Sequence, residues 1–254
     1  MSKDLIEEGG FKYLEKGEGK PIVLLHGLMG SLSNFEAVID YFSKNGYKVF
    51  IPELPLYTSP ILKTNVKNFV LFVKKFLKFK QIEKPILLGN SLGGHIALYF
   101  SKLFLEDLRA MVLTGSSGLY EKSFGDTYPK RGNFEYIKKK TEQVFYDPEV
   151  ATEELVRGVY EIVNSRTNAI KLLAIAKSSI RHNMAKDLPN MDVPTCLIWG
   201  RNDNVTAPEV AVDFEKLLPD ANLFWIDKCG HAPMMEHPET FNKILHDWLK
   251  ERNL

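Results

Sequence analysis

Three side chains of this sequence could together break an acyl bond: Ser91, Asp203 and His231. A serine hydroxyl is a weak nucleophile at neutral pH. It needs a base to take its proton, and an imidazole base needs an acid to orient it and to stabilise its charged form. Ser91 lies in Gly89-Asn90-Ser91-Leu92-Gly93-Gly94, directly after the apolar run Ile86-Leu87-Leu88 and before a helical pattern. That layout predicts a strand that turns sharply into a helix, with the serine at the turn, its backbone strained and its hydroxyl pushed outward. Gly89 and Gly93 take the positions where a side chain would collide with the turn, and Gly94 lets the helix approach the strand. Asp203 follows the buried-looking run Thr195–Gly200, and His231 follows the run Asn222–Ile226. Each should therefore stand on a loop at the carboxyl end of a strand.

For these loops to meet, the strands must share a parallel sheet, whose carboxyl ends form one ligand-binding edge. The sequence supplies such strands. Phe11–Leu14 reads as a short edge strand. Pro21–Leu25, Tyr47–Ile51, Pro85–Leu88 and Ala110–Thr114 are apolar runs separated by helical patterns. Strands apolar on both faces suit a parallel sheet covered by helices on each side. The expected fold class is α/β, a mostly parallel central sheet with helices on both faces. Ser33 and Glu36 form a capping-box pattern that predicts a helix from there to about Lys44. Val66, Phe69, Val70, Val73, Phe76 and Leu77 recur at helical spacing between about Leu62 and Lys80. The lysines of that stretch would suit a membrane surface, but its place between two strands makes it a sheet-covering helix. Pro208 and Pro238 open further helices.

From Gly118 to about Pro189 the alternation stops. The stretch is helical, aromatic and polar, with Phe124, Tyr128, Phe134, Tyr136, Phe145, Tyr146 and Tyr160. It reads as an inserted helical cap over residues 118–189, leaving a core domain of residues 1–117 and 190–254.

The bulk properties narrow the function. The chain has 254 residues, 44% hydrophobic and 26% charged, with a net charge of +1. That is the composition of an ordinary globular domain. The longest like-charge run, Lys138-Lys139-Lys140, reads as a solvated turn, and nothing asks for a nucleic-acid partner. No apolar run approaches the roughly 20 residues that span a bilayer, and the N-terminus lacks a signal-peptide core. No membrane span and a cytoplasmic location are expected; two cysteines fit a reducing compartment. A homodimer is compatible with the composition. No cofactor is expected, and no catalytic metal, because neither His-x-x-x-His nor paired-cysteine spacing occurs.

Four segments now carry a resemblance. His26-Gly27-Leu28-Met29-Gly30, Gly89-Asn90-Ser91-Leu92-Gly93-Gly94, Gly200-Arg201-Asn202-Asp203, and Gly230-His231 with the tail Glu236-His237-Pro238 stand in the order of an α/β-hydrolase-fold serine hydrolase. The sequence resembles that family from about residue 21 to 250. The resemblance implies Ser91 as nucleophile, His231 as base, Asp203 as acid, and the backbone N–H groups of Leu28 and Leu92 as the oxyanion hole. An apolar pocket lined by Leu28, Met29, Leu92, Met234 and cap aromatics would take a small-molecule acyl substrate.

Other residues compete for these roles. Asp227 is a rival acid on the strand end next to His231; Asp107 and Asp126 are weaker ones. Cys229 could be a nucleophile, whereas Cys196 reads as packing. His26 should hold the oxyanion loop in shape, and His95, His182, His237 and His246 should be structural. A serine at residue 91 points to esters, thioesters, lactones or activated C–C bonds. The main expectation is a carboxylesterase acting on small or medium acyl esters. Gly89-Asn90-Ser91 with the cap also resembles the C–C bond hydrolases of dienoate ring-cleavage products. Those carry an aromatic residue after the histidine, where Ala232 stands here, and a cap arginine, for which Arg157, Arg166 and Arg181 are candidates. A protein of this fold that binds small molecules without turnover is the alternative of another class.

Overall fold

The computed structural model describes residues 5–30, 32–120 and 132–254. Eight strands form one sheet: β1 (Ile6–Glu8), β2 (Phe11–Lys16), β3 (Lys20–Leu25), β4 (Tyr47–Pro52), β5 (Ile86–Asn90), β6 (Ala110–Thr114), β7 (Thr195–Gly200) and β8 (Ala221–Ile226). Their spatial order is β1-β2-β4-β3-β5-β6-β7-β8. The pairings from β4 through β3 to β8 are parallel, and those of β1 with β2 and of β2 with β4 are antiparallel. Phe11–Leu14 is thus not at the edge. The three-residue strand β1 lies outside it, too short and too polar to be read from sequence.

The strands are apolar on both faces because both faces are covered. Val23, Leu25, Leu87, Met111, Leu113 and Trp199 turn to one side, where they meet α2 (Val66–Phe79), α3 (Leu92–Phe104) and α7 (Pro208–Leu217). Their neighbours Ile22, Leu24, Ile86, Leu88, Val112 and Ile198 turn to the other side, against α1 (Glu36–Phe42) and α9 (Pro238–Glu251). This is the period-2 alternation of a strand with an apolar layer on each side.

Between β6 and β7 the described chain contains α4 (Phe134–Glu142), α5 (Glu153–Asn164) and α6 (Arg166–Arg181). Each starts at a polar cap: Asn133, Thr152 and Ser165 accept from the backbone N–H three residues on. On α6, Lys171, Ile175, Ser178 and Ser179 are buried at helical spacing. The Val66 N–H donates to Ser178 Oγ at 3.0 Å, tying α6 to the start of α2. Phe124, Asp126 and Tyr128 lie outside the described residues.

Two helix starts differ from expectation. The first begins at Glu36, after a 3-10 turn over Leu32–Phe35, with no side-chain cap at Phe35. The tighter turn displaces the capping box that Ser33 and Glu36 suggest. The basic helix begins at Val66, capped by Asn65, rather than at Leu62. A short helix, α8 (Pro233–Glu236), follows His231 and was not expected. Among the described residues no helix is long and apolar enough to cross a membrane.

Candidate active site

Ser91 sits between the last residue of β5 and the first of α3, at φ 56° and ψ −118°. Such a conformation in a non-glycine residue persists only where the surroundings enforce it. Here the enforcement is close packing. A Cβ on Gly89 would run into the backbone of Gly93 and Gly94, and a Cβ on Gly93 would run into the Leu25 carbonyl. At Gly94 the first obstacle is the Ser116 side chain, not the strand. The Ser91 N–H donates to Thr114 O at 3.1 Å, and Asn90 Nδ2 donates to both Thr114 O and His231 O at 3.0 Å. Asn90 thereby ties the turn to the loop that carries His231.

His231 and Asp203 are 6% and 3% exposed. His231 Nδ1–H donates to Asp203 Oδ2 at 2.9 Å. The other oxygen, Oδ1, accepts the N–H groups of Val205 and Thr206, both at 2.8 Å. The carboxylate is therefore fixed in its plane and fixes the imidazole tautomer, which leaves Nε2 as the acceptor. Gly115, at φ 50°, leaves room for the ring: a Cβ there would come within 2.7 Å of His231 Nδ1.

The loop after β3 runs beside Ser91; a Cβ on Gly27 would stand 3.2 Å from that of Ser91. His26 braces this loop. Its Nδ1–H donates to Gly27 O at 3.0 Å and its Nε2 accepts from the Leu54 N–H at 3.1 Å. Burial pushes this imidazole below its ordinary pKa, which keeps it in the neutral form that these two bonds require. The Tyr57 hydroxyl donates to Leu28 O. Among the described residues neither the Leu28 N–H nor the Leu92 N–H meets an acceptor.

The remaining candidates separate. Met29 is half-buried with Leu172, Tyr136 and Tyr160 against Ile137, Val159 and Val163 of the inserted helices. Met234 is buried in the core layer with Phe145 and Ala232. Asp227 pairs with Arg201 at 2.7 Å with its side chain 82% exposed, and Asp107 pairs with Lys74. Cys229 and Cys196 are buried; burial, with Glu236 and Asp203 nearby, pushes the Cys229 thiol up and away from thiolate character. His95, His182, His237 and His246 bond respectively to His182 O, Ser178 O, Lys228 O and the Tyr41 hydroxyl. Arg157 is exposed and pairs with Glu153, and Arg166 and Arg181 are exposed as well. Among the described residues no cluster of three or more His, Cys, Asp or Glu side chains could hold a metal ion.

Some contacts were not anticipated from sequence. Glu236 accepts the N–H groups of Gly230 at 2.7 Å, Tyr146 at 2.7 Å and Asp147 at 3.3 Å. Lys171 is 6% exposed, and its Nζ donates to Tyr57 O at 2.5 Å. The one signal for Lys171 was its place on the stripe it shares with Ile175 and Ser178. Tyr57, in a proline-rich loop, gave no signal.

The sequence model of the alpha/beta hydrolase fold matches residues 20–238. The chain belongs to the α/β-hydrolase family. A solved relative within it is an alpha/beta hydrolase enzyme from a lagoon-sediment metagenome (Mar Chica, Morocco). It is 58% identical, with TM-score 0.83, over 98% of this chain and 99% of the other. A 2-hydroxy-6-oxononadienedioate/2-hydroxy-6-oxononatrienedioate hydrolase of Paraburkholderia phymatum is 30% identical over 95% of this chain and 93% of its own. A 2-hydroxy-6-oxo-6-phenylhexa-2,4-dienoate hydrolase of Comamonas testosteroni is 27% identical over 94% and 91%. This α/β hydrolase thus has relatives named as hydrolases of 2-hydroxy-6-oxo-dienoates along nearly its whole length.

Proposed function

We propose that this α/β hydrolase is a serine-dependent C–C bond hydrolase of 2-hydroxy-6-oxo-dienoate ring-cleavage products. The observation that carries the chemistry is the Asp203–His231 pair held beside the Ser91 turn by Asn90. The substrate class rests on the relatives named above, and it displaces the carboxylesterase as the leading reading. Ser91 is the nucleophile, His231 the base, Asp203 the acid, and the N–H groups of Leu28 and Leu92 the oxyanion hole. Residues 118–189 act as a cap over the sheet edge of a core formed by residues 1–117 and 190–254. The contacts of α6 with Tyr57 and Val66 support that division.

His231 takes the Ser91 proton as Oγ bonds to the ketone carbon of the substrate. The carbonyl electron pair moves onto oxygen and is held by the two N–H groups; each such donor is worth about 10²–10³ in rate. For this bond to break, the substrate must stand as its 2-keto tautomer, the 2-hydroxy proton having moved to C5. On collapse the C5–C6 bond then breaks, its electron pair passes through the conjugated enone onto the C2 oxygen, and that oxygen takes the proton from His231. Water, deprotonated by the same imidazole, then releases the acyl group from Ser91.

A second reading, hydrolysis of small acyl esters, is favoured by Ala232 directly after His231, a buried small residue where the resemblance implies an aromatic one. The two separate in one assay. Purified protein is given 2-hydroxy-6-oxo-6-phenylhexa-2,4-dienoate, followed by loss of its visible absorbance, and p-nitrophenyl butyrate in parallel. The expected result is a higher kcat/KM on the dienoate. Turnover of the ester alone would establish the second reading. Turnover of neither, with no fluorophosphonate labelling of Ser91, would make the protein a binding module.

A further inference from the structure

The Leu28 N–H can stabilise an oxyanion only if its peptide plane is aimed at the reacting carbon. That plane also carries the Gly27 carbonyl, which points the opposite way in a trans peptide. The Gly27 oxygen accepts from His26 Nδ1 at 3.0 Å and from the Gly30 N–H at 3.2 Å, so this plane is anchored from the core. The next plane carries the Leu28 carbonyl, and its anchor is the Tyr57 hydroxyl. Both planes flanking the Leu28 Cα are thus clamped, one by His26 and one by Tyr57. Burial pushes the Tyr57 phenol well above its ordinary pKa, so it remains a donor.

Tyr57 is held in turn from the inserted helices. Lys171, on α6, is buried and donates to Tyr57 O, and among the described residues it has no carboxylate partner. A buried ammonium without a counter-charge is expensive, and an apolar side chain would sit there at lower cost. Leu172 of the same helix packs, as Met29 of the oxyanion loop does, against Ile137, Val159 and Val163, and Ile175 and Leu28 belong to one core cluster, so α6 and the loop share apolar surroundings.

We propose that Tyr57 and Lys171 are positioning residues that set the Leu28 peptide, so that the oxyanion hole is complete only when α6 is seated on the core. The proposal rests on the assignment of Leu28 as an oxyanion donor. It makes cap closure and oxyanion stabilisation one event: opening the cap withdraws Lys171, frees the Tyr57 loop and releases the Leu28 carbonyl.

The test compares wild type with Tyr57→Phe, Lys171→Met and Lys171→Arg on whichever substrate the wild type turns over. Inhibition by trifluoroacetophenone, which adds to a serine as a tetrahedral alkoxide, is measured alongside. Misplacing one donor is expected to lower kcat about tenfold to a hundredfold in Tyr57→Phe and in Lys171→Met, with KM changed by less than about threefold. The inhibition constant for the ketone should rise by the same factor as kcat falls. Lys171→Arg, which keeps a donor, should recover most of the loss. The proposal is overturned if folded variants keep kcat and ketone affinity within about twofold of wild type, or if the loss lies in KM alone. It is also overturned if Lys171→Arg is as impaired as Lys171→Met. If Tyr57→Phe does not fold, the Lys171 pair decides. Failure of the underlying assignment looks different: the wild type itself would neither turn over substrate nor bind the ketone.

Discussion

Ser91 spends conformational free energy on its position. A non-glycine residue at φ 56° and ψ −118° costs on the order of 1–3 kcal/mol. Removing the hydroxyl leaves the turn intact, so Ser91→Ala should fold normally and lose up to about 10⁶-fold in turnover. Turnover near that of wild type would remove Ser91 from the mechanism. Asp203 gives a sharper test because its two oxygens do different work. In Asp203→Asn the amide oxygen can still accept from Val205 and Thr206, which turns the amide NH2 toward His231 Nδ1. The imidazole must then carry its proton on Nε2, the wrong tautomer for a base. We expect kcat to fall by about 10⁴ with little change in Tm. Asp227→Asn, at an exposed ion pair, should leave kcat unchanged. The opposite pattern would exchange the roles of the two aspartates.

At the scale of elements, the His231 loop depends on the segment that follows α4. The His231 N–H donates to Val144 O at 2.9 Å, and Glu236, at the end of α8, gathers the N–H groups of Gly230, Tyr146 and Asp147. Glu236→Ala would strip the acceptor from these backbone donors, each worth about 1–3 kcal/mol if left unsatisfied and less where water reaches it. The expected result is a lower urea midpoint together with a lower kcat, because the freed loop carries His231. Glu236→Gln keeps one carbonyl oxygen and should lose less of both. A kcat unaffected in Glu236→Ala would show that the loop is set by other contacts. The turn at Ser91 is less forgiving. Gly93→Ala places a methyl group on the Leu25 carbonyl, a backbone atom that cannot step aside. Denaturant unfolding should find it destabilised by about 3 kcal/mol.

For the molecule as a whole, two imidazoles set a pH limit. His95 and His26 are buried, and burial lowers both pKa values from the ordinary 6.5, that of His95 to about 4. In the unfolded chain both would take a proton near pH 6.5. Between pH 6.5 and about 4 the unfolded state binds protons that the folded state refuses. Their contribution to stability is therefore complete above that window and is lost as the pH falls through it, at a cost of about 1–3 kcal/mol for His95. Tm should drop steadily on acidification from pH 7 to 4.5. In His95→Gln the drop should be shallower, from a lower starting Tm. A flat Tm in wild type over this range would mean that the imidazoles are hydrated or protonated in the folded protein.

Much of this was determined by local chemistry and so was legible in the sequence. The glycines around Ser91 announce a turn that excludes side chains. Runs such as Ile22–Leu25 and Cys196–Trp199, apolar at every position, require cover on both faces, and that fixes a parallel sheet with its carboxyl ends aligned. Ser91 and Asp203 follow such runs and His231 follows the neighbouring strand Ala221–Ile226, and so they share one edge. The tertiary structure decided what depends on contacts between segments distant in sequence. The Lys171 bond to a carbonyl 114 residues away and the Glu236 bonds to Tyr146 and Asp147 leave no periodic trace. A lysine and a glutamate have the same polar signature on a solvated face as in a buried clasp. The arginines of the inserted helices, legible as charges, turned out to face solvent, while the buried cation was the lysine that sequence reasoning passed over. Pattern reports which residues prefer water; only packing decides which of them is denied it.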